Sequence, residues 1–440
     1  MALPVVAIVG RANVGKSTLF NRLIGDRLSI VENEPGVTRD RIYSKADWNG
    51  KEFHLIDTGG IEWNEADEIT NLIRVQAELA IDEADVIVFL VDGRDGLLAA
   101  DRDVAEILRK SKKPIVIGVN KLDHPNHMAA VYEFYELGFE AVFALSAEHG
   151  TGTGDLLDEV VELFPVQVEE EYGEDVIRVA LIGRPNVGKS SLVNALLGEN
   201  RVMVSEVAGT TRDAIDTALE VDGQKYVLID TAGMRRRGRV YENVEKYSVM
   251  RALQAIERAD VAFVVIDGER GIAEQDKRVA GYALTAGCAI GLVVNKWDAV
   301  VKDDKTAHRF EATLRDEFPF MRWAPVLFVS AMTKQRVQKI LPLAKEISEA
   351  HAMRISTGTL NGLIQDVVAS VAPPSDKGRK LRIYYSTQVG VKPPTFAFFV
   401  NDKELMHFSY ERHLENQLRK AFGFEGTPIR IVTRTKSSTK

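Results

Sequence analysis

Gly10-Arg-Ala-Asn-Val-Gly-Lys-Ser17 recurs 173 residues later as Gly183-Arg-Pro-Asn-Val-Gly-Lys-Ser190. The pattern suits phosphate capture. Its glycines (Gly10, Gly15, Gly183, Gly188) let the backbone wrap an anion with successive N–H groups pointing inward. Lys16 and Lys189 are placed to reach the outer phosphates, and the hydroxyls of Ser17 and Ser190 to bind Mg²⁺. The flanks agree: Val5–Val9 and Val179–Ile182 read as buried strands, and Thr18–Leu23 and Ser191–Leu197 as amphipathic helices. Between glycine and lysine lie Arg11, Ala12, Asn13 and Val14 in one copy and Arg184, Pro185, Asn186 and Val187 in the other.

Four further motifs follow each loop, in the same chain order in both halves. Asp57, Thr58, Gly59 and Gly60 match Asp230, Thr231, Ala232 and Gly233, each 41 residues beyond the loop lysine. Such an aspartate belongs at the C-terminal end of a strand (His54–Ile56, Val227–Ile229), where it can hold Mg²⁺, usually through water. Asn120, Lys121, Leu122 and Asp123 match Asn295, Lys296, Trp297 and Asp298 after β-rich runs. A carboxylate there can accept from both the N1–H and the 2-amino group of guanine. Adenine offers neither donor and would leave that carboxylate unpaired, so the expected ligand is GTP rather than ATP. Thr38 and Thr211, each 28 residues past the first loop glycine, read as switch threonines that join Mg²⁺ only when a γ-phosphate is present. Ser146-Ala147 and Ser330-Ala331 end short strands, and a backbone N–H there could meet the guanine O6.

The spacing also varies informatively. The offset between halves is 173 through the aspartate motif, 175 at the asparagine motif and 184 at the Ser-Ala pair. Insertions therefore fall after each of the first two motifs, where loops can vary without disturbing a sheet.

The residues following the two aspartate motifs are Ile61 and Met234. Many small GTPases have a glutamine there that orients the attacking water. Neither residue present can hydrogen-bond through its side chain, so slow intrinsic hydrolysis is expected. Arg235, Arg236, Arg237 and Arg239 follow the second motif without a counterpart in the first half. They form either a solvated face or a contact with RNA phosphates or the tail in one nucleotide state.

Two such domains in tandem, with these loops and a short basic tail, closely resemble the Der/EngA family of bacterial GTPases. Ala12, where the family usually has proline, is a small departure that removes no ligand. The resemblance implies a ribosome-associated GTPase that helps assemble the large subunit and carries a C-terminal KH-like domain. In similar GTPases a potassium ion held by the loop asparagine replaces an arginine finger. Asn13 and Asn186 stand at that position and either hold the ion or brace the loop.

The chain has 440 residues, enough for three domains, with 45% apolar content and no long apolar run. The N-terminus lacks a basic start and runs into the first strand, so no signal peptide is expected. One cysteine, Cys288, fits a reducing cytoplasm and a small buried residue. The net charge is −8, but Ser370 to Lys440 carries 13 Lys and Arg against 6 Asp and Glu. That leaves a tail of +7 on a remainder of −15, which suits a tail that meets phosphate.

The expected fold class is α/β: two P-loop GTPase domains, each a mostly parallel sheet flanked by helices, then a small α+β KH-like domain. The boundaries read as 1–167, an acidic linker at 168–176, 177–352 and 353–440. Within the tail the pattern predicts helix Leu360–Ser370, strands Leu381–Tyr385 and Phe396–Val400, helix Tyr410–Phe422 and strand Ile429–Thr433. Gly423 to Gly426 imitates a KH phosphate-clamping loop, but it precedes a strand, so Gly423 reads as a helix C-cap. RNA contact would then rest on Lys377, Arg379, Lys380 and Arg382. A monomeric GTP-driven switch on the ribosome is the leading expectation, with no membrane partner. A GTP-regulated scaffold is the alternative.

Overall fold

The computed structural model describes residues 3–25, 43–58, 81, 84–123, 125–165, 172–173, 175–198, 203–204, 216–230, 247–376 and 379–435. The chain divides into two compact units, Met1–Glu169 and Glu170–Lys440.

In the first unit the described elements run β1 (Val5–Val9), α1 (Lys16–Ile24), β2 (Tyr43–Trp48), β3 (Lys51–Asp57), β4 (Val86–Asp92), α2 (Ala99–Lys110), β5 (Ile115–Asn120), a 3-10 run (Pro125–Leu137), β6 (Val142–Ala144) and α3 (Thr153–Glu162). The sheet order is β2-β3-β1-β4-β5-β6, and only β2 is antiparallel to its neighbour. β1 and β4 are continuous apolar runs buried along their whole length, as strands covered on both faces must be. Leu19 and Phe20 of α1 and Leu156 and Val160 of α3 fill the core beside them. Because β3 and β4 flank β1, the chain crosses over on both sides of the first strand. The carboxyl ends of β1, β3, β4 and β5 therefore open on one crevice, where ligands of such sheets bind.

The second unit repeats this plan with β7 (Val176–Ile182), α4 (Lys189–Leu197), β8 (Met203–Val204), β9 (Thr217–Val221), β10 (Gln224–Leu228), α5 (Tyr247–Arg258), β11 (Val261–Asp267), α6 (Glu274–Ala286), β12 (Ala289–Asn295), α7 (Thr306–Glu317), β13 (Val326–Phe328) and α8 (Ile340–Ala352). Its order is β13-β12-β11-β7-β10-β9-β8, the first arrangement plus one short edge strand. β7 begins at Val176, so the sheet takes up a residue that reads from sequence as linker. Between the base-reading motif and the Ser-Ala pair the second half has α7 and a 3-10 turn, Pro319–Met321, where the first has only its 3-10 run. The offset increase from 175 to 184 falls in that segment.

The C-terminal region comprises α9 (Thr357–Ser370), the short pair β14 (Ser375–Asp376) and β15 (Arg379–Lys380), then β16 (Ile383–Gly390), β17 (Thr395–Val400), α10 (Phe408–Phe422) and β18 (Arg430–Thr435). β16 and β17 are antiparallel, and β17 and β18 parallel. α10 buries Tyr410, Leu414 and Leu418 at a spacing of four, one helix face, against Phe396 and Phe398. It ends at Gly423, whose φ of 87° a side chain would resist. The predicted strand Leu381–Tyr385 starts two residues later and runs five further, as β16. Leu381 enters the core and the Arg382 N–H is held by Asn401 Oδ1.

This region packs on the second sheet. Ile290 N donates to Gly426 O (2.6 Å), and Gly426 N to Trp323 O (3.1 Å). The Arg419 guanidinium lies 4.7 Å from the Trp323 ring centroid. Buried Asp260 accepts from Arg178 Nη2 (3.0 Å) and lies 3.5 Å from Lys392 Nζ. His351 on α8 is 3% exposed and pairs through Nδ1 with the Thr427 hydroxyl. Cys288 is buried at the start of β12. No helix among the described residues is long and apolar enough to cross a membrane.

Candidate functional site

Each phosphate-loop candidate joins a buried strand to a helix. After β1 the chain turns through Gly10, where a Cβ would lie 2.2 Å from Leu90 O, and Gly15, where it would lie 2.3 Å from Asn120 Nδ2. The matching clearances at Gly183 and Gly188 are 2.5 Å (Val265 O) and 2.3 Å (Asn295 Nδ2). Only glycine permits this approach, and at Gly15 and Gly188 the φ values near 95° require it as well. Asn13 and Asn186 are exposed and left-handed, with φ of 65° and 64°. Asparagine is among the few side chains that tolerate that region, so bracing the turn is one role the geometry gives both.

The lysine ammonium sits inside the loop. Lys16 Nζ donates to Gly10 O and Arg11 O, both at 2.8 Å. Lys189 Nζ does the same to Gly183 O (2.6 Å) and Arg184 O (2.7 Å). Burial pushes the Lys16 pKa below the usual lysine value, with Asp57 partly opposing it. A buried cation ringed by carbonyls is prepared for an anion that replaces the missing solvation. Ser17 Oγ donates to Asp57 Oδ2 at 2.6 Å, which brings the two expected Mg²⁺ ligands of the first loop together. Thr58 anchors the same corner by donating its hydroxyl to Ile8 O.

Asp230 departs from the expected placement. β10 ends at Leu228, and Asp230 lies beyond it with φ 58°. Its N–H is captured by Asp216 Oδ1 (2.9 Å), a carboxylate itself paired with Arg258, which turns the backbone out of the strand.

Base-reading elements close the other side of each crevice. Asn120 Nδ2 donates to Val14 O (2.7 Å), and its Oδ1 accepts from Ala147 N (2.8 Å). Asn295 makes the equivalent bonds to Val187 O (2.9 Å) and from Ala331 N (3.0 Å). One side chain thus ties the phosphate loop to the Ser-Ala loop in both halves. The Ala147 and Ala331 N–H groups already serve the asparagines, and Ser146 N and Ser330 N donate to Thr151 O and Gln335 O. Asp123 accepts from Ser146 Oγ (2.7 Å) and pairs with Arg94; the Ser146 hydrogen bond foremost holds its carboxyl below the usual range. Leu122 and Trp297 are buried beneath their loops, and Asp298 is exposed.

Sequence reasoning missed two aspartates per half. Asp92 and Asp267 end β4 and β11 and receive Lys121 Nζ (2.5 Å) and Lys296 Nζ (2.7 Å). Burial opposes their ionisation, but these lysines and the N–H groups of the following turn outweigh it and lower both pKa values. Asp101 and Asp276 are fully buried near Arg11 and Arg184. All four recur at the 175-residue offset of the asparagine motif, a signal already present in the repeat.

Thr38, Gly59, Gly60, Ile61, Thr211, Thr231, Ala232, Gly233, Met234, Arg235, Arg236, Arg237, Arg239 and Lys377 lie outside the described residues. Arg379, Lys380 and Arg382 are exposed on the tail, with Arg379 paired to Asp402 (2.9 Å).

The family described as 50S ribosome-binding GTPase matches residues 5–121 and 178–296. The KH-domain-like C-terminal family of EngA bacterial GTPase enzymes matches residues 354–434. Among relatives, GTPase Der of Geobacillus sp. (strain WCH70) is 62% identical over 436 residues, 99% of this chain and 100% of the relative. GTPase Der of Halalkalibacterium halodurans is 62% identical over 437 residues, again 99% and 100%. That of Listeria monocytogenes serotype 4a (strain HCC23) is 59% identical over 436 residues with the same coverage. With two matched GTPase regions, a matched KH-like tail and full-length relatives about 60% identical, the protein belongs to the Der/EngA family of GTPases and hydrolyses GTP.

Proposed function

We propose that the chain is a GTP-driven switch that times a step in large-subunit assembly in the cytoplasm, acting as a monomer through ribosomal RNA. The observation that carries this reading is the pairing of two complete sets of nucleotide-site motifs with a tail of net charge +7. Acidic GTPase domains avoid indiscriminate phosphate binding, whereas the tail favours it. The 50S-binding description of the matched GTPase family points the same way.

In each crevice the chain's own groups account for binding. Phosphates entering the loop take the lysine ammonium from the two carbonyls it now holds, so Lys16 and Lys189 meet charge in the ground state and the transition state. Asp123 and Asp298 select guanine through its N1–H and 2-amino donors. Ser17, Asp57 and Thr38 would hold Mg²⁺ in the first domain, and Ser190, Asp230 and Thr211 in the second. The ion, when bound, neutralises charge between the β- and γ-phosphates. The Ser17–Asp57 contact fits that donor set. Water attacks the γ-phosphorus, the bond to the β–γ bridging oxygen breaks, and GDP and phosphate leave. Ile61 and Met234 cannot orient that water, so the intrinsic rate is slow. Asn13 and Asn186, exposed at the loop mouths, would hold a stimulating potassium ion. Nucleotide state would move the segments around Thr38 and Thr211 and the arginines Arg235, Arg236, Arg237 and Arg239, changing the RNA-facing surface with Arg379, Lys380, Arg382 and Lys377.

Co-sedimentation of the full chain with ribosomal subunits, with a non-hydrolysable GTP analogue or GDP over a salt series, tests this. Large-subunit binding only with the analogue, lost steeply with salt, is expected. Absence of binding in both states would favour a scaffold role away from the ribosome.

A further inference from the structure

The second residue of each phosphate loop is an arginine with a double task. Its carbonyl accepts from the loop lysine: Arg11 O from Lys16 Nζ (2.8 Å), Arg184 O from Lys189 Nζ (2.7 Å). Its side chain runs to a carboxylate on the helix that follows β4 in the first half and β11 in the second. Arg11 Nε lies 3.5 Å from Asp101 Oδ1, and Arg184 Nε 3.3 Å from Asp276 Oδ2. Both carboxylates are 0% exposed.

Three features make this more than a chance ion pair. First, the partners are 90 residues apart in one half and 92 in the other, so the contact persists across an insertion. Second, each aspartate is fixed independently of the arginine. Asp101 Oδ2 accepts from Leu98 N (3.1 Å), and Asp276 Oδ2 from Ala273 N (3.0 Å), at the first turn of its helix. The carboxylate is a rigid post rather than a mobile side chain. Third, Arg11 Nε, Asp101 Oδ1, Arg184 Nε and Asp276 Oδ1 are buried atoms without a hydrogen bond. The guanidinium and carboxylate are thus in ion-pair contact without an aligned hydrogen bond, and unpaired buried polar atoms are costly. The outer guanidinium nitrogens make further contacts: Arg11 Nη2 with Asp95 (2.7 Å), and Arg184 Nη2 with Gly271 O (2.5 Å).

We propose that Asp101 and Asp276 are positioning residues which, through Arg11 and Arg184, set the carbonyl and lysine geometry that receives the nucleotide phosphates. The inference rests on the reading of these loops as phosphate sites. A loop that grips the β-phosphate does so equally in GDP, GTP and the transition state. Loosening it therefore removes uniform binding, which raises KM and leaves kcat.

The test uses the full chain with Lys189→Ala to silence the second site, compared with the same chain also carrying Asp101→Asn. Asparagine keeps an oxygen for Leu98 N and removes the charge. GDP affinity, KM and kcat for GTP, and nucleotide-free thermal unfolding are measured. GDP Kd and KM are expected to rise about tenfold, with kcat within about twofold. Arg11→Gln should reproduce the shift, and the double variant should be no worse than either, because one coupling is being removed. Asp276→Asn on the Lys16→Ala chain is the independent repeat. A lowered unfolding temperature with unchanged Kd and KM would make the aspartates merely structural and overturn the proposal. A fall in kcat at constant KM would also overturn it, by assigning Arg11 to the transition state. If Asp101→Asn and Arg11→Gln both fail to fold, the pair is structural and the proposal falls. A Lys189→Ala parent that binds no GDP would instead remove the phosphate-site reading beneath it.

Discussion

Asn120 Nδ2 lies 2.7 Å from Val14 O, so the candidate base-reading element is bolted to the candidate phosphate loop. The same side chain accepts from Ala147 N, and Asn295 repeats both bonds in the second half. Three loops distant in sequence thus share one buried amide, 3% exposed at Asn120 and 1% at Asn295.

Replacing that amide should weaken nucleotide binding in its own domain only. Asn120→Ala leaves Val14 O and Ala147 N without partners, a loss of about 2 kcal/mol, or roughly thirtyfold in GDP affinity. Titration of Asn120→Ala in the Lys189→Ala chain reads it directly, and Asn295→Ala in the Lys16→Ala chain gives the mirror result.

Gly15→Ala should act through geometry alone. The new methyl would lie 2.3 Å from Asn120 Nδ2, on a backbone with φ of 98°. Both the loop and the amide must shift, and GDP affinity in the first domain should fall at least about tenfold while the second domain is unaffected. Unchanged affinity would mean the loop does not hold phosphate in this conformation.

The packing of the tail on the second sheet should be acid-sensitive through His351. Burial, foremost, and the nearby Lys392 and Arg430 lower its pKa to about 4, with Asp260 opposing them. An unfolded histidine takes its proton near 6.5, so between these values the unfolded chain binds more protons. The contribution is full above pH 6.5 and is lost as pH falls toward 4, by about 2 kcal/mol between pH 7 and pH 5. Thermal unfolding of the full chain at both values, compared with His351→Gln, checks this: the variant should lose less on acidification.

Much of this was legible in the sequence because repetition supplied its own control. β1 is the predicted strand Val5–Val9 to the residue, since a continuous apolar run ending in glycine leaves little freedom. Gly423 caps its helix as its position before a strand implied. That the Asn120 and Asn295 amides tie two other loops together is not legible in sequence, because it depends on how three loops converge. Asp230 stands two residues beyond β10, its N–H donated to Asp216, a contact between residues 14 apart that no local pattern announces. Asp92 and Asp101 escaped notice because an aspartate after an apolar run, or in a first helical turn, is ordinary in sequence. Only burial against Lys121 and Arg11 reveals their work.

The central claim is that one chain holds two independent guanine-nucleotide crevices, each built around a lysine held by its own loop carbonyls. Calorimetric titration with GDP tests it most directly, on the unaltered chain, Lys16→Ala and Lys189→Ala. Two sites per chain falling to one in each variant, with the remaining site's affinity retained, is the predicted result. Two sites surviving either substitution, or both vanishing with one, would contradict the account.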